Sequence, residues 1–227
     1  MNPSRLELRR ATKIYQTNGQ KLEALHDVSL TLESGTVTAV VGRSGCGKTT
    51  LLNLAGAMDF PTSGEVVING RATSSLSEEE LTALRRTRIG FVFQFFQLLP
   101  ALTTLENVEL PLLLAGAPGA REAARDRLAW VDLAEKADSF PYQLSGGQMQ
   151  RVAIARALVH SPEILIADEP TGNLDNASGD QVLALLRDAA QRFGATVLLA
   201  THSAEAAAIA QTSVQMRDGR IASVERA

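Results

Sequence analysis

The chain has 227 residues, 45% hydrophobic and 21% charged, with a net charge of -3 at pH 7 and a pI near 5.7. That length buries one large core or two modest ones, and the acidic balance excludes the broad basic face of a nucleic-acid binder. Its single cysteine, Cys46, excludes an internal disulfide and suits a reducing compartment. No run approaches the roughly 18 apolar residues of a membrane span, and the N-terminus, with Arg5, Glu7, Arg9 and Arg10 interleaved, lacks a signal-peptide core; a cytoplasmic chain is expected.

In chain order, apolar alternation at Leu6 and Leu8, and again at Val28, Leu30 and Leu32, predicts antiparallel strands ahead of a main sheet. Tyr15 falls in the first of these segments, where periodicity fits a half-buried strand aromatic as well as a ligand contact. A strand is expected over 36–41 and a helix over 50–55. Between them Gly42, Arg43, Ser44, Gly45, Cys46, Gly47, Lys48 and Thr49 fit the pattern G-x-x-x-x-G-K-[ST], with Thr50 following. Glycines there let successive N–H groups curl around phosphates, and the helix N-terminus adds its positive end. Lys48 is placed to pair with the outer phosphates of a nucleotide and the Thr49 hydroxyl to bind Mg2+.

The cluster Arg85, Arg86 and Arg88 reads as a solvated helix face. Further strands are expected over 89–93, 164–167 and 196–200, and the polar residues just beyond them are Gln94, the pair Asp168 and Glu169, and His202. In open parallel α/β sheets ligands gather at the carboxyl ends of strands, so these segments converge on one edge. The Leu- and Ala-rich stretch 95–160, with helices expected over 120–131 and 148–159, reads as a helical insert in that α/β core. A helix over 181–192, with Val182, Leu185, Leu186 and Ala189 on one face, fits a right-handed crossover. The fold class is therefore α/β: a core of 1–94 and 161–227 with an N-terminal antiparallel β-subdomain, and an α-helical subdomain inserted at about 95–160.

Asp168, directly after a buried strand, is positioned to hold Mg2+. Glu169 is the candidate general base for an attacking water, a task that needs a carboxylate within hydrogen-bond reach. Gln94 is placed to bridge metal and water, and His202 to donate to the γ-phosphate and orient Glu169, although each taken singly also fits a structural role. In the segment Leu144, Ser145, Gly146, Gly147 and Gln148, Ser145 is a good N-cap ahead of a long helix. That makes a second anion-binding helix end, a pattern that alone also fits a flexible cap.

With these motifs combined, the chain resembles the ATP-binding-cassette ATPases over essentially its whole length. The resemblance implies a RecA-like P-loop fold, with 42–49 as Walker A, Gln94 as the Q-loop, and 144–148 as the signature sequence. It makes 164–168 Walker B, Glu169 the catalytic glutamate, Asp175 of Asn173-Leu174-Asp175 the D-loop aspartate, and His202 the switch histidine. Tyr15 aligns with the aromatic that stacks on adenine. The implied reaction is Mg2+-dependent ATP hydrolysis in a head-to-tail dimer, in which Ser145, Gly146, Gly147 and Gln148 of one copy close on ATP held by the other. Arg43 and Cys46 depart from the small residues usual in Walker A. Cys46, beside Lys48 at a helix N-terminus, is a candidate for oxidation or alkylation that blocks ATP binding.

The stretches 91–100, 105–112 and 169–175 look like the lipoprotein-release and macrolide-efflux subgroup, which pairs with FtsX-type permeases at the cytoplasmic face of the inner membrane. Phe95, Phe96, Leu98 and Leu99 suit either a permease-docking surface or packing within the insert. The alternative function is a soluble, non-transport ABC ATPase of cofactor assembly or DNA repair. The coiled-coil and zinc insertions of repair members are not found in this sequence.

Overall fold

Two long strands, β1 (Ser4–Thr17) and β2 (Gln20–Glu33), open the fold in the computed structural model, which describes residues 4–17 and 20–226. They pair antiparallel, with Leu6 opposite Leu32 and Leu8 opposite Leu30. The alternation read from the sequence marks only part of each strand, for a physical reason. Register shifts between Leu8 and Ala11, with Arg10 at φ 50° and Asp27 at φ 49°, reset which residues face inward. β4 (Ser63–Ile68) and β5 (Arg71–Ala72) complete a four-stranded sheet in the order β2-β1-β4-β5.

The second sheet contains β3 (Val37–Val41), β6 (Ile89–Phe93), β7 (Ile164–Asp168), β8 (Thr196–Thr201), β9 (Thr212–Arg217) and β10 (Arg220–Arg226). Its order is β10-β9-β3-β8-β7-β6, parallel except for the β9–β10 hairpin. All four strands expected for the main sheet are present; β9 and β10 were not anticipated. β8 is buried along its whole length and β3 and β7 in all but the last residue, as expected for parallel strands covered on both faces.

One cover is α1 (Lys48–Ala55), held between the two sheets. Its Leu51, Leu52 and Leu54 share a cluster with Leu6 and Leu25 of one sheet and with Ile166 and Leu198 of the other. The opposite face takes α5 (Gly146–Leu158) and α6 (Asn176–Phe193), through Ile154, Leu158, Val182 and Leu186. Both helices begin before the expected spans, because Ser145 and Asp175 cap them at their first turns. The α2 helix (Glu78–Arg88), with a Ser77–Glu80 capping box, leads into β6. The helices α3 (Thr104–Leu114) and α4 (Ala120–Trp130) join α5 around Leu105, Val108, Leu128 and Val152. A one-turn α7 (Ala204–Ala207) follows β8. No described helix is long and apolar enough to cross a membrane.

One cluster of polar contacts that fixes the antiparallel sheet to the core lies at Glu163. The Glu163 carboxylate, just ahead of β7, accepts from Arg5 of β1 at 3.1 Å and from Asn69 at 2.8 Å, and it also pairs with Arg88 at the end of α2. Its side chain is 22% exposed, so screening reduces what these charged hydrogen bonds contribute. Glu163→Ala should lower unfolding stability by about 1–2 kcal/mol, read as a lower urea midpoint with an unchanged slope; an unaltered midpoint would refute the clasp.

Candidate nucleotide site

Parallel pairing sets the strand ends level: Val41 lies opposite Thr201, Asp168 opposite Ala200, and Phe93 opposite Asp168. The residues that follow these ends therefore meet in one cleft of about 880 Å³. It is lined by Tyr15, Arg43, Ser44, Gly45, Gly47, Lys48, Thr49 and Thr50, and by Gln94, Asp168, Glu169 and His202. Gly42 and Cys46 belong to the same loop but do not line the cleft.

The loop owes its shape to backbone that other residues resist. Gly47, at φ 105°, is the N-cap of α1, and a Cβ there would stand 2.6 Å from the Ala24 carbonyl oxygen. α1 starts directly with Lys48 and has no side-chain cap, so its first N–H groups are left for an anion. Lys48 is nearly buried; its Nζ donates to the carbonyls of Gly42 at 2.8 Å and Arg43 at 3.3 Å, and lies 3.4 Å from Glu169 Oε1.

Glu169 is held on both oxygens. Oε2 is 2.9 Å from His202 Nδ1, and the Glu169 amide donates to the Ala200 carbonyl at 2.9 Å. Its φ of 47° is left-handed and strained for a residue with a side chain. His202 remains largely exposed while Glu169 is mostly covered. Gln94 is also fixed: its amide nitrogen donates to Asn173 Oδ1 at 3.4 Å, and Asn173 donates back to the Gln94 carbonyl at 3.3 Å. Asn173 orients the Gln94 amide, a role invisible in the sequence because 79 residues separate the two.

The donors for a divalent cation are hard oxygens. Thr49 Oγ1 donates to Asp168 Oδ2 at 2.9 Å, while Asp168 Oδ1 is buried with no hydrogen-bond partner. Burial, followed by the neighbouring Glu169 charge, pushes the Asp168 carboxyl above its usual range, against the Thr49 hydrogen bond and Lys48. An orphaned carboxylate oxygen beside a hydroxyl and an amide fits Mg2+, which takes few protein ligands and completes its shell with water and phosphate oxygens.

Ser145, Gly146, Gly147 and Gln148 lie outside this cleft. Ser145 Oγ accepts from the Gln148 amide at 3.2 Å, and Gln148 Oε1 accepts from the Ser145 amide at 2.9 Å. The reciprocal pair makes this an ordered helix start and not a flexible cap. Gly146 and Gly147 are already in its first turn. Gly147 abuts α6: a Cβ there would meet Ser178 Oγ at 2.5 Å. Asp175 in turn accepts from the Ser178 amide at 3.0 Å and hydroxyl at 2.8 Å. A second cavity of about 320 Å³ joins Asp175 to Glu169 and His202, so the glycine segment and the cleft are linked through α6.

Two expectations change shape. Cys46 is buried, and its Sγ lies 2.5 Å from where a Gly42 Cβ would be, so it presents little surface to a thiol reagent. Of the four apolar residues after Gln94, Phe95 is 68% and Leu99 44% exposed, Phe96 is half-buried, and Leu98 packs on the insert helices. A separate apolar groove of about 570 Å³ lies between Phe91, Phe93, Leu110, Pro111 and Leu114. Its walls come from β6 and α3, a juxtaposition that no local pattern announces.

The family pattern described as ABC transporter matches residues 25–172. The chain is 48% identical over 221 residues to the macrolide export ATP-binding/permease protein MacB of Rhodopseudomonas palustris, aligning 96% of itself but 34% of that relative. It thus spans about a third of the length of this relative. It is 44% identical to the uncharacterized ABC transporter ATP-binding protein MJ1508 of Methanocaldococcus jannaschii, across 96% of this chain and 98% of that one. Among solved structures it superposes on two dimeric forms of the cassette MJ0796, one of them a post-hydrolysis state bound to ADP and Pi. Both give a TM-score of 0.90, with 41% and 42% identity, and cover 97% of this chain and 98% of the other. With its phosphate loop, carboxylate pair and capped glycine segment on the matching scaffold, the chain belongs to the ABC transporter family and is one of its ATP-hydrolysing cassettes.

Proposed function

We propose that two copies of this chain close head to tail around two ATP and drive an FtsX-type permease at the cytoplasmic face of the inner membrane, in export, lipoprotein release or force transmission across the envelope. The observation that carries the pairing is the separation of the two anion-binding helix ends. The start of α1 lines the cleft with the catalytic groups, whereas Ser145 to Gln148 stand outside it. In this reading the signature segment serves the nucleotide of the other copy, with Asp175 reporting between the sites through Ser178. The dimeric MJ0796 structures support it.

Within each site, the phosphate loop with Lys48 and Thr50 binds the phosphates, Tyr15 stacks on the base, and Thr49, Asp168 and Gln94 would hold Mg2+. When bound, Mg2+ offsets charge on the β- and γ-phosphates. As the phosphates draw Lys48 away, Glu169 keeps His202 as its partner and its Oε1 becomes free to take a proton from water. That water attacks the γ-phosphorus, the bond to the ADP oxygen breaks, and ADP and phosphate leave. His202, hydrogen-bonded to Glu169, fixes the carboxylate in position and offers its ring to the γ-phosphate.

The permease reading rests on the groove beside Phe91 and Leu114. Arg85, Arg86 and Arg156 border it and donate to carbonyl oxygens of Ala57, Leu114, Gln97 and Phe96. None of the three makes an ion pair with a carboxylate among the described residues. An apolar floor with unneutralised guanidinium groups suits an amphipathic cytosolic helix bearing acidic residues. The core of 1–94 and 161–227 and the insert of about 95–160 would both touch that helix. The MacB relative, named as both ATP-binding and permease protein, supports such a partner.

Glu169→Gln should bind ATP, lose at least about 100-fold in turnover and accumulate as a dimer in ATP with Mg2+, whereas Lys48→Ala should lose nucleotide affinity; unchanged steady-state hydrolysis in Glu169→Gln would remove Glu169 as base. Arg86→Glu should abolish copurification with a co-expressed FtsX-type permease while leaving ATPase activity of the isolated chain within about twofold. Retained copurification would contradict docking at this groove.

A further inference from the structure

The aromatic that lines the base end of the cleft is not free to turn. Tyr15 lies on β1, in the antiparallel sheet, whereas the phosphate loop belongs to the parallel one. Its hydroxyl donates to Asp59 Oδ2 at 3.0 Å. Asp59 follows α1, and its other oxygen accepts from Lys13 Nζ at 2.5 Å and from the Phe60 amide at 2.7 Å. Lys13 also donates to the Phe60 carbonyl at 2.8 Å and sits 5.0 Å from the Tyr15 ring centroid. Tyr15 lines the cleft and Lys13 does not. The ring therefore has a cation against it while it contributes to the cleft wall.

The same turn is fastened to β1 on both sides of Lys13. Ile14 N donates to Thr62 Oγ1 at 3.0 Å, and the Thr62 amide donates to the Thr12 carbonyl at 2.7 Å. Thr50, in the first turn of α1, lines the same cleft as Tyr15. Although burial alone would raise the Asp59 carboxyl, Lys13, the Phe60 amide and the Tyr15 hydroxyl outweigh it and hold it below the usual carboxylate range. The carboxylate is thus charged and accepts on both oxygens, a strong anchor for the phenol.

We propose that Asp59 is a positioning residue for nucleotide binding: it locks the Tyr15 ring in its stacking orientation and joins the base end of the site to the helix that holds the phosphates. The proposal rests on the reading of Tyr15 as the base platform. A tyrosine on a strand pays rotamer entropy to stack on a base, and Asp59 removes that cost before ATP arrives. Stacking is tolerant of base identity, so the effect concerns the presence of a base and not the choice among bases.

The test compares ATP and tripolyphosphate binding by calorimetry, together with steady-state ATPase kinetics, for the full chain and its Asp59→Ala, Asp59→Asn, Tyr15→Phe and Tyr15→Ala variants. Asp59→Ala should raise KM and the ATP dissociation constant about three- to tenfold, keep kcat within about twofold, and leave tripolyphosphate affinity unchanged. Tyr15→Phe, which loses only the hydroxyl, should reproduce it, and carries the test if Asp59→Ala does not fold. Asp59→Asn, still an acceptor, should lie between. Adding Asp59→Ala to Tyr15→Ala should cost nothing further. Equal losses for ATP and tripolyphosphate, or a fall in kcat alone, would overturn the positioning role. So would normal ATP affinity in Asp59→Ala where Tyr15→Ala is weakened. Normal affinity in Tyr15→Ala would instead remove the platform reading, and this proposal with it.

Discussion

The parallel register of β3, β8, β7 and β6 is the constraint on which the rest of the site depends. It holds Val41, Thr201, Asp168 and Phe93 within one residue of the same level, so side chains from four distant segments meet without any of them being long. Glu169 shows the consequence. Its carboxylate spans Lys48 on α1 and His202 beyond β8, and its own amide is tied to Ala200. A one-residue slip in any pairing would turn buried strand residues outward and dissolve this triad. The strained φ of Glu169 is tolerated because the fully buried β7 and β8 fix the backbone around it.

The two helix ends divide the labour. α1 has no side-chain cap and offers its N–H groups to the cleft, while α5 is capped by its own Ser145 and Gln148 and points elsewhere. In the proposed dimer, this separation of two helix ends in one chain would make a single copy an incomplete enzyme. Their connection runs through α6, where Ser178 touches Gly147 and is held by Asp175. In that dimer, closure at one site would be felt in the cavity that Asp175 shares with Glu169 and His202.

How much could be read beforehand follows sequence separation. The phosphate loop, the Asp168–Glu169 pair and the Ser145 cap are local patterns, in which spacing and residue type alone carry the chemistry, and the structure holds each at the expected element boundary. The extents of β1 and β2 were not legible because bulges at Arg10 and Asp27 interrupt alternation. The contacts of Glu163 with Arg5, Asn173 with Gln94, and Asp59 with Tyr15 join residues 158, 79 and 44 apart, and no periodicity encodes them. Burial of Cys46 was likewise hidden, since the motif sets loop shape but not which side chains turn under it. The arginines read as a solvated face divide: Arg88 meets Glu163, and Arg85 and Arg86 border the groove.

Mixing two inactive variants tests the shared site most directly. Ser145→Asp keeps an N-cap acceptor for α5 but sets a negative charge toward the partner's nucleotide, and Lys48→Ala disables the phosphate loop. In a mixed pair both defects fall on one composite site and the other is intact. The account predicts that each variant alone hydrolyses ATP at background and that the mixture recovers a rate well above their sum. A mixture as inactive as its components would contradict it, because each nucleotide would then be served within a single chain.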